Sequence, residues 1–215
     1  MSKKRRRDGE ATRDRLLEAA GTLIAQQGFA HTTNRAIAEK AGVDLATINY
    51  HFGGRDGLYQ VVMAEGHRHF IDITQLAALD ESPMAPREKL ARILEQLMTT
   101  LMEEPGWQAQ IFVRELFAPS KNVKTIFQTV ILPKKQYFQK IIHQITGIPE
   151  DDFAIQRCLM NIMSPCLMLL VSGSGIKTPI EGILKTDSNK ALIGHHIRFC
   201  LAGLDAVRDD YFNHK

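Results

Sequence analysis

Apolar side chains recur along this chain at intervals of three and four residues, and no stretch alternates with the two-residue period of a half-buried strand. From Glu10, the positions Leu16, Leu17, Ala20, Leu23, Ile24 and Gln27 step round one helical face, and Gly28 supplies the left-handed stop. Thr32-Thr33 offers an N-cap for a second helix to about Ala41, which Gly42-Val43 breaks. Asp44 is placed to cap a short third helix ending near His51, and a fourth starts near Gly54-Arg55 and runs past Phe70 to about Leu79. All eight prolines fall at or beyond Pro83. Beyond a loop with Pro83 and Pro86, the series Leu90, Ile93, Leu94, Leu97, Met98, Leu101 and Met102 marks an amphipathic helix ended by Glu104-Pro105-Gly106. Trp107 to Phe117 and Val123 to Thr146 read as helices, the second kinked or broken at Pro133. Acids at 150–152 precede a helix to about Val171, bent at Pro165. After a loop at 172–182 the last helix covers about Asn189–Tyr211. The expected fold is all-α, with roughly eight or nine helices.

Composition narrows the class. A hydrophobic content of 44% supports a packed core, and 27 Lys+Arg against 24 Asp+Glu leave a formal charge of only +3. The excess is local. Lys3, Lys4, Arg5, Arg6 and Arg7 form one basic cluster, without which residues 8–66 are net acidic. The cluster reads as a disordered arm over 1–8, either simply solvated or drawn to phosphate. No apolar run follows it, so no secretory signal is expected. Cys158, Cys166 and Cys200 sit in apolar surroundings at spacings that match no zinc pattern, which points to reduced, buried thiols in a cytoplasmic protein. The apolar segment Cys158–Val171 reads as too short to span a membrane.

The informative stretch is residues 33–52. A helix-turn-helix needs a small residue where its helices cross, a turn residue that tolerates positive φ, and apolar anchors for the second helix. Ala38, Gly42, and Ile37, Val43 and Ile48 meet those needs in register. The outer face of the second helix then carries Leu45, Ala46, Thr47, Asn49 and Tyr50, small and polar enough to enter a major groove, with Leu45 suited to a thymine methyl.

Residues 10–70 resemble the amino-terminal domain of the TetR/AcrR family of bacterial transcriptional regulators. The likeness rests on Gln27-Gly28-Phe29, Thr32-Thr33, Ile37-Ala38, Ala41-Gly42-Val43, Ile48, Tyr50-His51-Phe52, Arg55 and Leu58-Tyr59. It implies a homodimer whose first three helices bind double-stranded operator DNA. Residues 9–68 would then form the DNA-binding domain, and 69–215 the ligand-binding and dimerisation domain. Phosphate contacts would fall on Thr33, Tyr50, His51 and Arg55, and base-edge readout on Ala46, Thr47 and Asn49, with Arg35 reaching a guanine and Asn34 beside it. Three positions depart from the family pattern: Asp44 where Ser or Thr is common, Asn49 where a bulky residue is usual, and Arg55 where Lys is usual. Asn49 is either a bidentate partner for adenine or a solvent-facing residue. Arg114-Glu115-Leu116-Phe117-Ala118-Pro119 is similar to an Arg-Glu-x-x-x-Pro segment of one subgroup.

The resemblance fixes no effector. Met98, Met102, Trp107, Phe112, Phe138 and Met163 are apolar candidates for an effector cavity, with Arg114 its candidate charge. Helices 151–171 and 189–211 are apolar on more than one face, as expected for pairing with a second copy. His67/His69 and His195/His196 lack ligand partners at metal spacing, and no phosphate loop or nucleophile elbow occurs, so neither metal, cofactor nor enzyme is expected. The leading reading is an effector-responsive repressor. A constitutive regulator, and a small-molecule-binding or enzymatic helical protein with a vestigial head, are the alternatives.

Overall fold

A computed structural model describes residues 2–103, 106–120, 123–179, 182 and 188–214. Glu104 and Pro105, expected to end a helix, and much of the loop before the last helix (180–181 and 183–187) lie outside the described residues. Among those described there is no strand. The helices are α1 (Ser2–Gln27), α2 (Asn34–Ala41), α3 (Ala46–Phe52), α4 (Arg55–Phe70), α5 (Ile73–Glu81), α6 (Pro86–Glu103), α7 (Gly106–Phe117), α8 (Val123–Ile126), α9 (Leu132–Thr146), α10 (Phe153–Gly173) and α11 (Asn189–Asn213). A π-helical turn, Phe127–Ile131, links α8 to α9.

The chain divides into two compact units that are not contiguous in sequence. One is Met1–His67 with Gly106–Ile126; the other is Arg68–Pro105 with Phe127–Lys215. The division expected at 68/69 therefore misses α7, which belongs with the first unit. Three residues of α7 explain its place. The Trp107 indole donates to the Glu18 carboxylate at 2.9 Å, Arg114 donates to the carbonyl of Ala25 at 3.3 Å, and the buried Glu115 accepts from the Tyr59 hydroxyl. At Gly21 a Cβ would sit 2.5 Å from the Trp107 ring, so only glycine lets α7 lie this close to α1. Leu16, Ala20, Ile24, Ile37, Ile48, Leu58, Val62 and Ile111 fill the core of this unit.

In the second unit α6 and α9 pack against one another and against both α10 and α11, and α5 covers α6 and α9. Leu90, Leu94, Ile141, Ile142, Ile155 and Ile162 form its centre. Charged residues tie its elements together. Lys140 Nζ meets Asp80 Oδ2 at 2.7 Å, the buried Lys89 donates to the Asp80 carbonyl at 2.7 Å, and Arg87 pairs with Asp205. Between α10 and α11 the thiols of Cys166 and Cys200 lie 4.0 and 3.5 Å from His196 Nε2. Burial pushes the Cys166 thiol up to about 12 and the Cys200 thiol to about 11, and it lowers the His196 pKa. All three cysteines are free.

Three expectations need correction. The basic cluster, expected in a disordered arm ahead of a helix from Glu10, lies on backbone that is helical from Ser2, so α1 starts earlier than its apolar face; Lys and Arg are good helix formers and only Gly9 opposes them. The helix expected from Gly54 to Leu79 is two, because the Asp72 carboxylate accepts from Thr74 N–H at 2.8 Å and starts α5. The break expected at Pro133 is present: the α-helical pattern of Val123–Thr146 gives way to the π-helical turn Phe127–Ile131, and α9 starts at Leu132 with Pro133 in its first turn. Finally, α10 passes through Pro165 and is 21 residues long, enough by length and composition to cross a membrane. Its buried residues, among them Ile155, Ile162 and Leu169, pack in the second unit, where α10 lies against α6, α9 and α11.

Candidate nucleic-acid interface

The helix-turn-helix is built by local chemistry. Thr33, in extended backbone, accepts from Ala36 N–H through Oγ1 at 3.1 Å and starts α2. Gly42, at φ +64°, ends it in the left-handed region, and Val43 N–H reaches the Ala38 carbonyl at 3.0 Å. Ile37, Ala38 and Ala41 face inward from α2, and Ile48 and Phe52 from α3. Asp44 does not cap α3 with its carboxylate. Its backbone carbonyl accepts from Thr47 N–H at 2.9 Å, because the chain already enters a helical turn at Leu45.

With Ile48 and Phe52 pinned, the outer face of α3 is open. Leu45 is 51% exposed, Tyr50 85%, and Ala46 and Asn49 are exposed too, whereas Thr47 and His51 are half-buried. The Tyr50 and His51 rings meet edge to face at 5.0 Å. Thr33 and Arg35 are exposed on α2, and Arg35 pairs with Glu39 at 2.8 Å across one turn. Asn34 is half-buried, and its Oδ1 has no hydrogen-bond partner among the described residues.

Arg55 lies at the start of α4 with a second task. Its guanidinium donates to the carbonyls of Phe29 and, at 3.3 Å, Ala30, and it covers the Phe29 ring at 4.4 Å. Phe29 stacks on Tyr59 at 4.2 Å, and Tyr59 reaches Glu115, whose other oxygen takes the Ser120 N–H and hydroxyl at 3.0 Å. This run from Arg55 to Ser120 holds the turn before α2. The sequence reading quoted Tyr59 and Glu115 within motifs but gave them no role, since no periodicity reveals a hydrogen bond across 56 residues. It also missed Arg13, whose guanidinium lies 5.5 Å from the Phe52 ring centre.

The seven candidate effector residues divide between the two units. Trp107, Phe112 and Arg114 belong to the first unit; there Phe112 packs on the His67 ring at 4.6 Å and Arg114 closes the end of α1. Met98 and Phe138 are buried in the second unit, with Met102 and Met163 half-buried. That unit contains a cleft of about 330 Å³ formed by the end of α4, α5 and α6, and none of the seven lines it. Trp107 instead lines a more polar cleft of about 370 Å³ with Glu18, Thr22 and Gln26.

An all-helical chain with a capped, glycine-ended helix pair and an open second helix defines a helix-turn-helix regulator of the TetR class. Residues 16–62 match the family of bacterial regulatory proteins named for tetR, and residues 86–204 match the C-terminal domain of the HTH-type transcriptional dual regulator CecR. The chain belongs to the TetR family, and its carboxy-terminal part is of the CecR kind. Proteins of this family are transcriptional regulators rather than enzymes. The probable HTH-type transcriptional regulator YttP of Bacillus subtilis is 30% identical over 135 residues, 62% of this chain and 64% of YttP, so the match spans less than two thirds of that relative. CecR of Shigella flexneri is 25% identical over 154 residues, 67% of this chain and 69% of CecR. In fold, the chain is similar to FadR of Bacillus subtilis, a transcriptional regulator solved in complex with stearoyl-CoA. The TM-score is 0.65 at 16% identity, over 88% of this chain and 97% of FadR.

Proposed function

We propose that the protein is a cytoplasmic, homodimeric transcriptional repressor that binds a palindromic operator and is released or modulated by a small effector. The observation that carries this reading is the outer face of α3, where Leu45, Ala46, Asn49 and Tyr50 are exposed while Ile48 and Phe52 hold the helix from behind. In the major groove, Ala46, Thr47 and Asn49 would read base edges, with Leu45 against a thymine methyl. Thr33, Tyr50, His51 and Arg55 would hold phosphates and fix the register, with Arg35 reaching a guanine and Asn34 beside it. Arg55 can serve a phosphate only with donors that its two carbonyl partners leave over; a guanidinium has five. A second copy would cover the apolar residues left exposed on α10 and α11, including Phe153, Met160, Met168 and Phe199. Dimerisation sets the spacing of two half-sites. The stearoyl-CoA bound by FadR of Bacillus subtilis supports effector control in a protein of this fold.

Gel shift with the DNA upstream of the protein's own gene tests the reading. Tyr50→Ala is expected to weaken binding about tenfold on all sequences, and Thr47→Ala to change the preferred base while costing less affinity. A protein that shifts no genomic fragment at low salt is not a DNA-binding regulator. Uniform loss in both variants would overturn the split between phosphate and base contacts.

A further inference from the structure

The cleft in the second unit has a chemistry of its own. Its walls are apolar: Phe70 at the end of α4, Leu76 and Leu79 on α5, and Ile93 and Leu97 on α6. Gln96 Nε2 donates to Gln75 Oε1 at 2.7 Å and ties α5 to α6 at the polar rim. Two charged residues line the opening, Asp72 and Arg92, and they differ in what they have left to offer. The Asp72 carboxylate is committed. One oxygen takes the Thr74 N–H at 2.8 Å and its hydroxyl at 2.7 Å, and the other lies 3.8 Å from Arg68. These bonds hold it below the usual carboxylate range. Arg92 is exposed and makes no hydrogen bond or ion pair with any described residue, although Glu88 and Glu95 neighbour it on α6. An apolar trough with a spent anion and an uncommitted guanidinium is complementary to an apolar body bearing a negative head.

We propose that this cleft binds a small amphipathic carboxylate, its chain against Leu76, Ile93 and Leu97 and its carboxylate on Arg92, and that this is the effector site. The assignment as effector rests on the regulator reading above; the assignment as an anion site does not. A volume of about 330 Å³ lies at the lower end of the ~300–1,000 Å³ of small-molecule pockets, which favours a short chain over a long one. Asp72 starts α5 and Phe70 ends α4, so an occupant touches the junction of those helices and can favour one arrangement of it over another.

The test is calorimetric titration of the full chain, without DNA, with decanoate, 1-decanol and decyltrimethylammonium. Decanoate is expected to bind most tightly and the cation most weakly. Arg92→Gln is expected to weaken decanoate about tenfold and leave decanol unchanged. Ala78→Trp, at an exposed position lining the cleft, is expected to block decanoate and decanol alike without loss of fold by circular dichroism. No decanoate binding, equal binding by Arg92→Gln, or tightest binding of the cation overturns the proposal. Gel shift with and without decanoate then separates the two claims. Arg92-dependent binding that leaves the DNA shift unchanged removes the effector role and keeps the anion site. Arg92-dependent binding to a protein that shifts no DNA removes the regulator reading alone.

Discussion

The two units solve opposite problems. In the first, α2 and α3 are only eight and seven residues long, too short to hold helix in water by themselves. Each depends on a few particular residues: the Thr33 cap, the Gly42 and Gly53 ends, and the anchors Ile37, Ile48 and Phe52. What remains is exposed and free for a partner. In the second unit, α6, α10 and α11 run to 18, 21 and 25 residues and bury many aliphatic side chains, and ion pairs such as Arg87–Asp205 and Lys140–Asp80 tie helices of the unit together. Short elements leave little choice of residue at each position; long ones leave a great deal. Sensitivity to single changes should therefore be concentrated in the first unit.

The hardest blow to that contrast is expected at Gly57, in the first turn of α4. An alanine Cβ there would stand 1.9 Å from the Phe52 carbonyl oxygen, a backbone atom that no rotamer change can move. Gly57→Ala is expected to cost more than ~3 kcal/mol and to abolish operator binding, read by thermal unfolding and gel shift. Melting like the parent protein would show that the α3–α4 junction is looser than its geometry, and the contrast between the units would weaken.

Lys134 sharpens the comparison from the other side, because the second unit tolerates a buried cation on α9. Its side chain is 9% exposed, and burial lowers its pKa to about 8, with Asp72 opposing. In the unfolded chain the amine stays protonated up to its ordinary value near 10.5. Between those values the unfolded state binds more protons, so stability rises with pH from about 8 to ~10.5; below 8 the cost of burial is constant. Lys134→Met is expected to stabilise the protein by ~2 kcal/mol at pH 7, less than the full shift implies because the amine keeps some water. That gain should fade by pH ~10, as followed by urea unfolding across the range. A gain that does not change with pH would place its origin in packing rather than charge.

How much was legible follows the same division. Thr33, Gly42, Ile37 and Ile48 could be placed from spacing because a cap, a left-handed turn and two anchors are each tied to a few residue types. The break at Asp72 was not legible, since the helical period of the apolar residues continues across it and only the carboxylate's bond to Thr74 decides the matter. Trp107, Phe112 and Arg114 looked like pocket residues because aromatic rings beside a charge suit a cavity. In the fold they also bind α1 and His67, through partners as much as 89 residues away in sequence, and Trp107 lines the cleft with Glu18, Thr22 and Gln26. The cleft itself is made of ordinary Leu and Ile at helical spacing, which sequence cannot tell from core. Arg92 is distinguished only by lacking a partner among the described residues, and that is a property of three dimensions.

The smallest expected effect is also the most discriminating, because Thr33 has both a structural and a proposed binding task. Its Oγ1 takes the Ala36 N–H, and replacing such a cap by alanine typically costs ~1 kcal/mol, or a few degrees of melting temperature in a chain of this size. Thr33→Ala should therefore lower both melting temperature and DNA affinity. Asp caps as well as Thr but carries a negative charge at the exposed start of α2, where the phosphate would sit. Thr33→Asp is thus expected to keep the melting temperature and lose DNA affinity more severely than Thr33→Ala. If Thr33→Asp binds operator as well as the parent, Thr33 is a cap alone, and the phosphate contact at the start of α2 must be reassigned to Asn34 or Arg35.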